Sequence, residues 1–137
     1  MAGGKKQLEK RIGDCTYVVD TLPGTLGVQT FEKVGPLCLL AVSGGAAAIV
    51  QAVGSFDADK FLAACKAFST HTMLRKSDGK EPQLSNVFDD HFSGNYLEMM
   101  EWFAFCVECN YSNFFSGLIE KLAKLNKPNL TPPTPTL

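Results

Sequence analysis

The chain has 137 residues, 45% of them hydrophobic and 20% charged, which is enough apolar material for one buried core and too much for a disordered segment. Lys and Arg total 13 against 14 for Asp and Glu, so no net field draws the protein to a phosphate backbone or an anionic bilayer. Nucleic acid and membrane are therefore excluded as expected partners.

Residues 1–7 are small and polar and read as a flexible N-terminus; the charges at Lys5, Lys6, Lys10 and Arg11 are followed by no long apolar run, unlike a signal peptide. Leu8 to Ile12 and Cys15 to Thr21 flank Gly13-Asp14, and the second segment is rich in β-branched and aromatic residues, which predicts a β-hairpin. Leu22-Pro23 stops strand pairing and suits a helix start. Leu26, Phe31, Val34 and Leu37 then predict a helix from about Pro23 to Val34, with Gly35-Pro36 as its end or a kink. The apolar stretch from Pro36 to Val53 is broken by Ser43, Gly44, Gly45 and Gln51 and falls short of the roughly 20 residues a bilayer span needs.

Ser55 is the expected cap of the next helix, with Asp57 and Asp59 in its first turn and Phe61, Leu62, Cys65 and Phe68 as its buried stripe. A second hairpin is predicted from His71 to Arg75 and Lys80 to Leu84, with Pro82 confining it to an edge. Ser85 opens a third helical region, which holds the aromatic run from Phe88 to Phe115. Four prolines between Pro128 and Pro135 predict an extended, polyproline-like tail over residues 126–137. The expected fold is thus α+β and mostly α-helical: an N-terminal hairpin, a helical domain within residues 8–125, and the tail.

Five cysteines, Cys15, Cys38, Cys65, Cys106 and Cys109, are an odd number with no secretion signal, which favours reduced thiols in a cytoplasm. Cys106-x-x-Cys109 is the one spacing that chemistry uses, but no second pair stands at zinc-ligand spacing, and the pair lies deep in an apolar run rather than at a helix start after a strand. Buried thiols are the favoured reading; a small metal- or thiol-dependent protein using Cys106 and Cys109 is the rival. Asp89-Asp90-His91 are consecutive on a helix and point about 100° apart, so they read as a solvated face. Without a nucleophile–base pair, phosphate loop or dinucleotide motif, a binding protein with no catalytic residue, cofactor or metal is expected.

A helix from Asn95 to Asn110 places Met99, Phe103, Cys106 and Val107 on one stripe and Glu98, Glu101 and Glu108 opposite. Trp102 and Phe105 fall on or beside the carboxylate face. Either a neighbouring helix covers them or they form a partner-binding surface, since interfaces enrich aromatic residues.

The segment YVVDTLPGTLGVQTFEKVGPL, Tyr17 to Leu37, resembles the opening of the phage tail assembly chaperones, a strand leading through a Leu-Pro step into a helix and a Gly-Pro. NVFDDHFSGNYLEMMEWFAFCVECNYSNFF, Asn86 to Phe115, is similar to their later signature, carried here by Phe88, His91, Phe92 and Gly94 and then by Asn110, Tyr111, Phe114 and Phe115. The resemblance implies a protein of the infected host's cytoplasm that binds the tape-measure protein and other tail or baseplate proteins during tail assembly, with a homo-oligomer as a further form. Some relatives are made in two lengths by a ribosomal frameshift. The alternative in the same setting is a structural baseplate or hub subunit kept in the virion. Trp102, Phe105, Phe88, Phe92, Phe114 and Phe115 are the expected partner-binding residues.

Overall fold

A computed structural model describes residues 6–130. The stretch read as flexible lies outside these residues up to residue 5, and the Pro-rich segment does so from residue 131 onward.

Strand β1 (Gln7–Ile12) turns at Gly13-Asp14 into β2 (Cys15–Asp20), pairing Ile12 with Cys15 and Gln7 with Asp20. Gly13 has φ +63, the glycine-first arrangement of a two-residue type II′ turn. A Cβ there would also meet the Glu98 carboxylate at 2.7 Å, so this turn is docked as well as tight. β3 (Thr72–Arg75) adds antiparallel to β2, giving the order β1-β2-β3. β2 is the buried centre, while β1 lies exposed at an edge except for Ile12. The second hairpin is only half formed: its return arm makes a single bridge, Met73 to Gln83, because Pro82 lacks the N–H a ladder needs.

Helix α1 (Gly24–Gln51) starts where expected, but continues through Gly35-Pro36 as a kink at Val34 (φ −130). The Pro36 ring crowds the carbonyl of Glu32 and deprives it of a donor. A second break falls at Gly45 (φ 66, ψ −154), a conformation open essentially to glycine alone. By length and composition α1 is long and apolar enough to cross a membrane, with a mean hydropathy of 1.7 over its most apolar window. That corrects the reading from Pro36 to Val53 alone, which was too short because it omitted the residues before the kink. In the fold α1 packs along α4, burying Val34, Leu37, Cys38, Ala41 and Ile49.

A short 3-10 turn (Val53–Ser55) leads to α2 (Ala58–Thr70). Asp57, not Ser55, caps α2, accepting from the backbone N–H groups of Asp59 and Lys60; the chain stays extended through Phe56, so Ser55 lies too far upstream. Phe61, Cys65 and Phe68 are buried as expected, but Leu62 is half exposed, since it lies about 100° round the helix from Phe61. α3 (Leu84–Phe92) leads through Gly94 into α4 (Tyr96–Leu130). α4 runs on past the expected boundary at Leu125, because an established helix extends one bond at a time without a new nucleus. Tyr111 meets Gly27, whereas Glu101 and Ala104 lie by Gly45 and Ala46, so α4 runs antiparallel to α1. Every residue from Leu118 to Leu125 is exposed.

Candidate functional site

β2, α3 and α4 meet at a clasp of three polar side chains. Tyr17, fully buried, donates its hydroxyl to Glu98 Oε2 at 2.5 Å, and His91 Nε2 lies 2.7 Å from the Tyr17 hydroxyl oxygen. The single phenolic proton is spent on the carboxylate, so His91 Nε2 carries the proton donated to Tyr17, a tautomer assigned from the network. His91 is therefore turned inward, which corrects the reading of Asp89-Asp90-His91 as a solvated face: the wheel could not show that β2 would lie against α3. Phe92 reinforces the clasp, stacked on Tyr17 (6.4 Å, 6° between planes) and edge-on to His91 (4.8 Å). Burial and the Glu98 hydrogen bond hold the Tyr17 phenol protonated.

His91 makes a pH test. Burial lowers its pKa from 6.5, Lys76 adds to that, and the neighbouring Glu98 opposes it. The folded state thus favours neutral His91, and the unfolded chain takes up the proton first as pH falls. This group's contribution is complete above pH about 6.5 and declines below it, down to the lower pKa of the folded state. Thermal melts from pH 7.5 downward should show that loss, and His91→Gln should flatten the slope across the window. An unchanged slope in the variant would assign the loss to other groups.

A second set of hydrogen bonds ties α4 to the chain around α1. Asn110 accepts from the Leu22 backbone N–H (2.8 Å) and donates to the Cys106 carbonyl (2.9 Å), while Tyr111 donates to the Gly27 carbonyl (2.7 Å). Phe31 lies at 5.4, 5.6 and 5.8 Å from the rings of Tyr111, Phe114 and Phe115. Leu22, Val28, Phe31, Tyr111 and Phe114 line a cleft of about 420 Å³. Its rim is open: Val28 is 70% and Phe114 52% exposed.

The expected partner-binding residues divide unevenly. Trp102 (0% exposed), Phe92, Phe105 and Phe115 are buried and Phe88 is half-buried, so none of these five is an exposed anchor in this chain. α3 and α2 close over the face that the wheel assigned to water: Trp102 meets Phe88, Phe92 and Phe68, and its Nε1–H donates to Thr72. The Lys10 ammonium from β1 lies over Phe105. Phe114 alone of the six is exposed. Val28 and Phe31 at the cleft were missed, although their i,i+3 spacing along α1 was legible.

A family model described as phage tail assembly chaperone protein, TAC, matches residues 13–121. The chain belongs to the phage tail assembly chaperone family. Neither the curated proteins nor the solved structures gave a match. The matched span of this tail assembly chaperone runs from the hairpin turn into the exposed part of α4, enclosing the clasp, the Asn110 bonds and the cleft. The residues that carry the resemblance have structural explanations: Phe88, His91 and Phe92 hold α3 to the sheet and to Trp102, while Asn110, Tyr111 and Phe115 hold α4 to α1. The chaperone's thiols are poor nucleophiles, because burial raises the pKa of Cys38 and Cys109 to about 12 and pushes Cys65 and Cys106 up as well. Among the described residues no group of three His, Cys, Asp or Glu is placed to hold a metal ion.

Proposed function

We propose that this tail assembly chaperone is a non-catalytic binder of the tape-measure protein, acting in the host cytoplasm. It would keep apolar helical segments of that long protein in solution until the tail tube forms around them. The observation that carries this reading is the cleft between the start of α1 and α4, whose open rim exposes Val28 and Phe114 beside Phe31. An amphipathic helix seats its large side chains in such an apolar groove. Thiol chemistry fits less well, since the cysteines are held protonated by burial.

Val28→Asp with Phe114→Asp tests it. Both positions are exposed, so the fold should be kept. An aromatic anchor contributes roughly 2 kcal/mol or more, about thirtyfold in affinity, and co-purification with the tape-measure protein of the same phage should fall accordingly. A folded double variant that retains wild-type binding would remove this cleft from the proposal.

A further inference from the structure

β1 uses only half of its backbone. The Lys6 carbonyl accepts from the Thr21 N–H at 2.9 Å, and Ile12 pairs with Cys15 across the turn. Antiparallel pairing alternates, so Lys6, Leu8, Lys10 and Ile12 direct their peptide groups toward β2, while Gln7, Glu9 and Arg11 direct theirs away from it. No described strand lies on that side in the order β1-β2-β3, and no described residue bonds to those three N–H or C=O groups. All three residues are exposed, and an edge of this kind is a template for an incoming strand.

The side chains say which strand fits. On the outer face Gln7 donates to Asp20 (2.9 Å) and Glu9 pairs with Arg75 (3.1 Å), whereas Arg11 makes no ion pair among the described residues. On the inner face the Lys10 ammonium lies over the Phe105 ring. A groove of about 420 Å³ opens there between α1 and α4, with Lys10 as the one residue of the sheet in its lining. Val42, Ala46, Ala104 and Phe105 supply its apolar part. A strand added about 4.8 Å from β1 would set its side chains alternately beside Arg11 and over this groove.

We infer that β1 takes up an extended segment of another protein as a fourth strand, one that alternates apolar with acidic side chains. The backbone of Gln7, Glu9 and Arg11 supplies the hydrogen bonds, the groove takes the apolar side chains, and Arg11 meets a carboxylate. Lys6, Lys10 and Arg11 repel cationic strands and give the edge its selectivity. A second copy fits less well: an antiparallel pair of β1 strands that uses all three open positions sets Glu9 against Glu9, and like charges directly opposite oppose pairing.

Amide exchange read by NMR tests this, with a synthetic nine-residue peptide of alternating valine and glutamate as the probe. In the free protein the Gln7, Glu9 and Arg11 amides should exchange quickly and those of Leu8 and Lys10 slowly. The peptide should slow the first three roughly tenfold or more and change Leu8 and Lys10 far less, a period of two that only strand addition produces. Glu9→Pro removes an outward N–H and no ladder bond, so it should melt near wild type and lose the protection at Gln7 and Arg11. Arg11→Glu, a surface change that carries the test however well Glu9→Pro folds, should weaken the peptide roughly fivefold or more. Four results would overturn the proposal: no protection of the three amides, equal protection by a peptide with lysine in place of glutamate, full protection in either folded variant, or protection that appears in concentrated protein alone, which would put a second copy on this edge.

Discussion

Trp102→Ala should destabilise the domain by about 3–5 kcal/mol, the cost of emptying a large buried aromatic site, and that approaches the whole stability of a domain this size. The ring is fully buried, touches Phe68, Phe88 and Phe92, and directs its N–H to Thr72. Truncation therefore opens a cavity where α2, α3, α4 and β3 converge and removes the buried threonine's donor. Urea unfolding would measure it, with Trp102→Phe as the milder variant that keeps most of the packing. A loss below about 1 kcal/mol, the scale of an ordinary substitution, would return Trp102 to the surface.

Tyr17→Phe should cost about 1–3 kcal/mol although it removes a single oxygen. The ring stays stacked on Phe92, but the His91 N–H and the Glu98 carboxylate, with side chains only 12% and 23% exposed, lose the hydroxyl between them. Leaving buried polar groups unsatisfied costs more than a hydrogen bond adds. Glu98→Gln in the same background should cost less than its effect in the wild type, because the two groups act through one network. Strict additivity would show instead that water serves each group independently.

The hairpin, the helix start after Leu22-Pro23 and the kink at Pro36 were all legible in the sequence, since each depends on a turn residue or a proline acting on its immediate neighbours. The failures came where distant segments meet. The wheel correctly set Trp102 apart from Met99 and Phe103, but nothing local says that α3 and β3 lie across that side of α4, so the sequence left open whether that face is covered by a neighbour, as it is, or meets a partner. His91 misled for the same reason, its partner Tyr17 being 74 residues away. At the candidate site, Phe114 was identified as a surface residue, whereas the cleft needed Val28 and Phe31 from a helix 80 residues earlier. The regular spacing of Phe115, Leu118, Leu122 and Leu125 was the signal for the exposed helix tip, obscured by the prolines that follow it.

The length of α4 has a mechanical consequence. Its 35 residues extend about 52 Å at 1.5 Å per residue, and the last 15 lie beyond Phe115, about 22 Å from the body. Held to α1 by Tyr111 and Phe115 and exposed from Leu118 to Leu125, the helix is a lever. Bending it by about 10° at Phe115 would carry the end of that arm roughly 4 Å sideways, most of a helical turn, while the residues packed before the bend keep their places. Conservative changes at Phe115 or at Phe31, which packs on it, can therefore re-aim the far end without a measurable loss of stability, and variants that melt normally yet assemble poorly should cluster around that fulcrum.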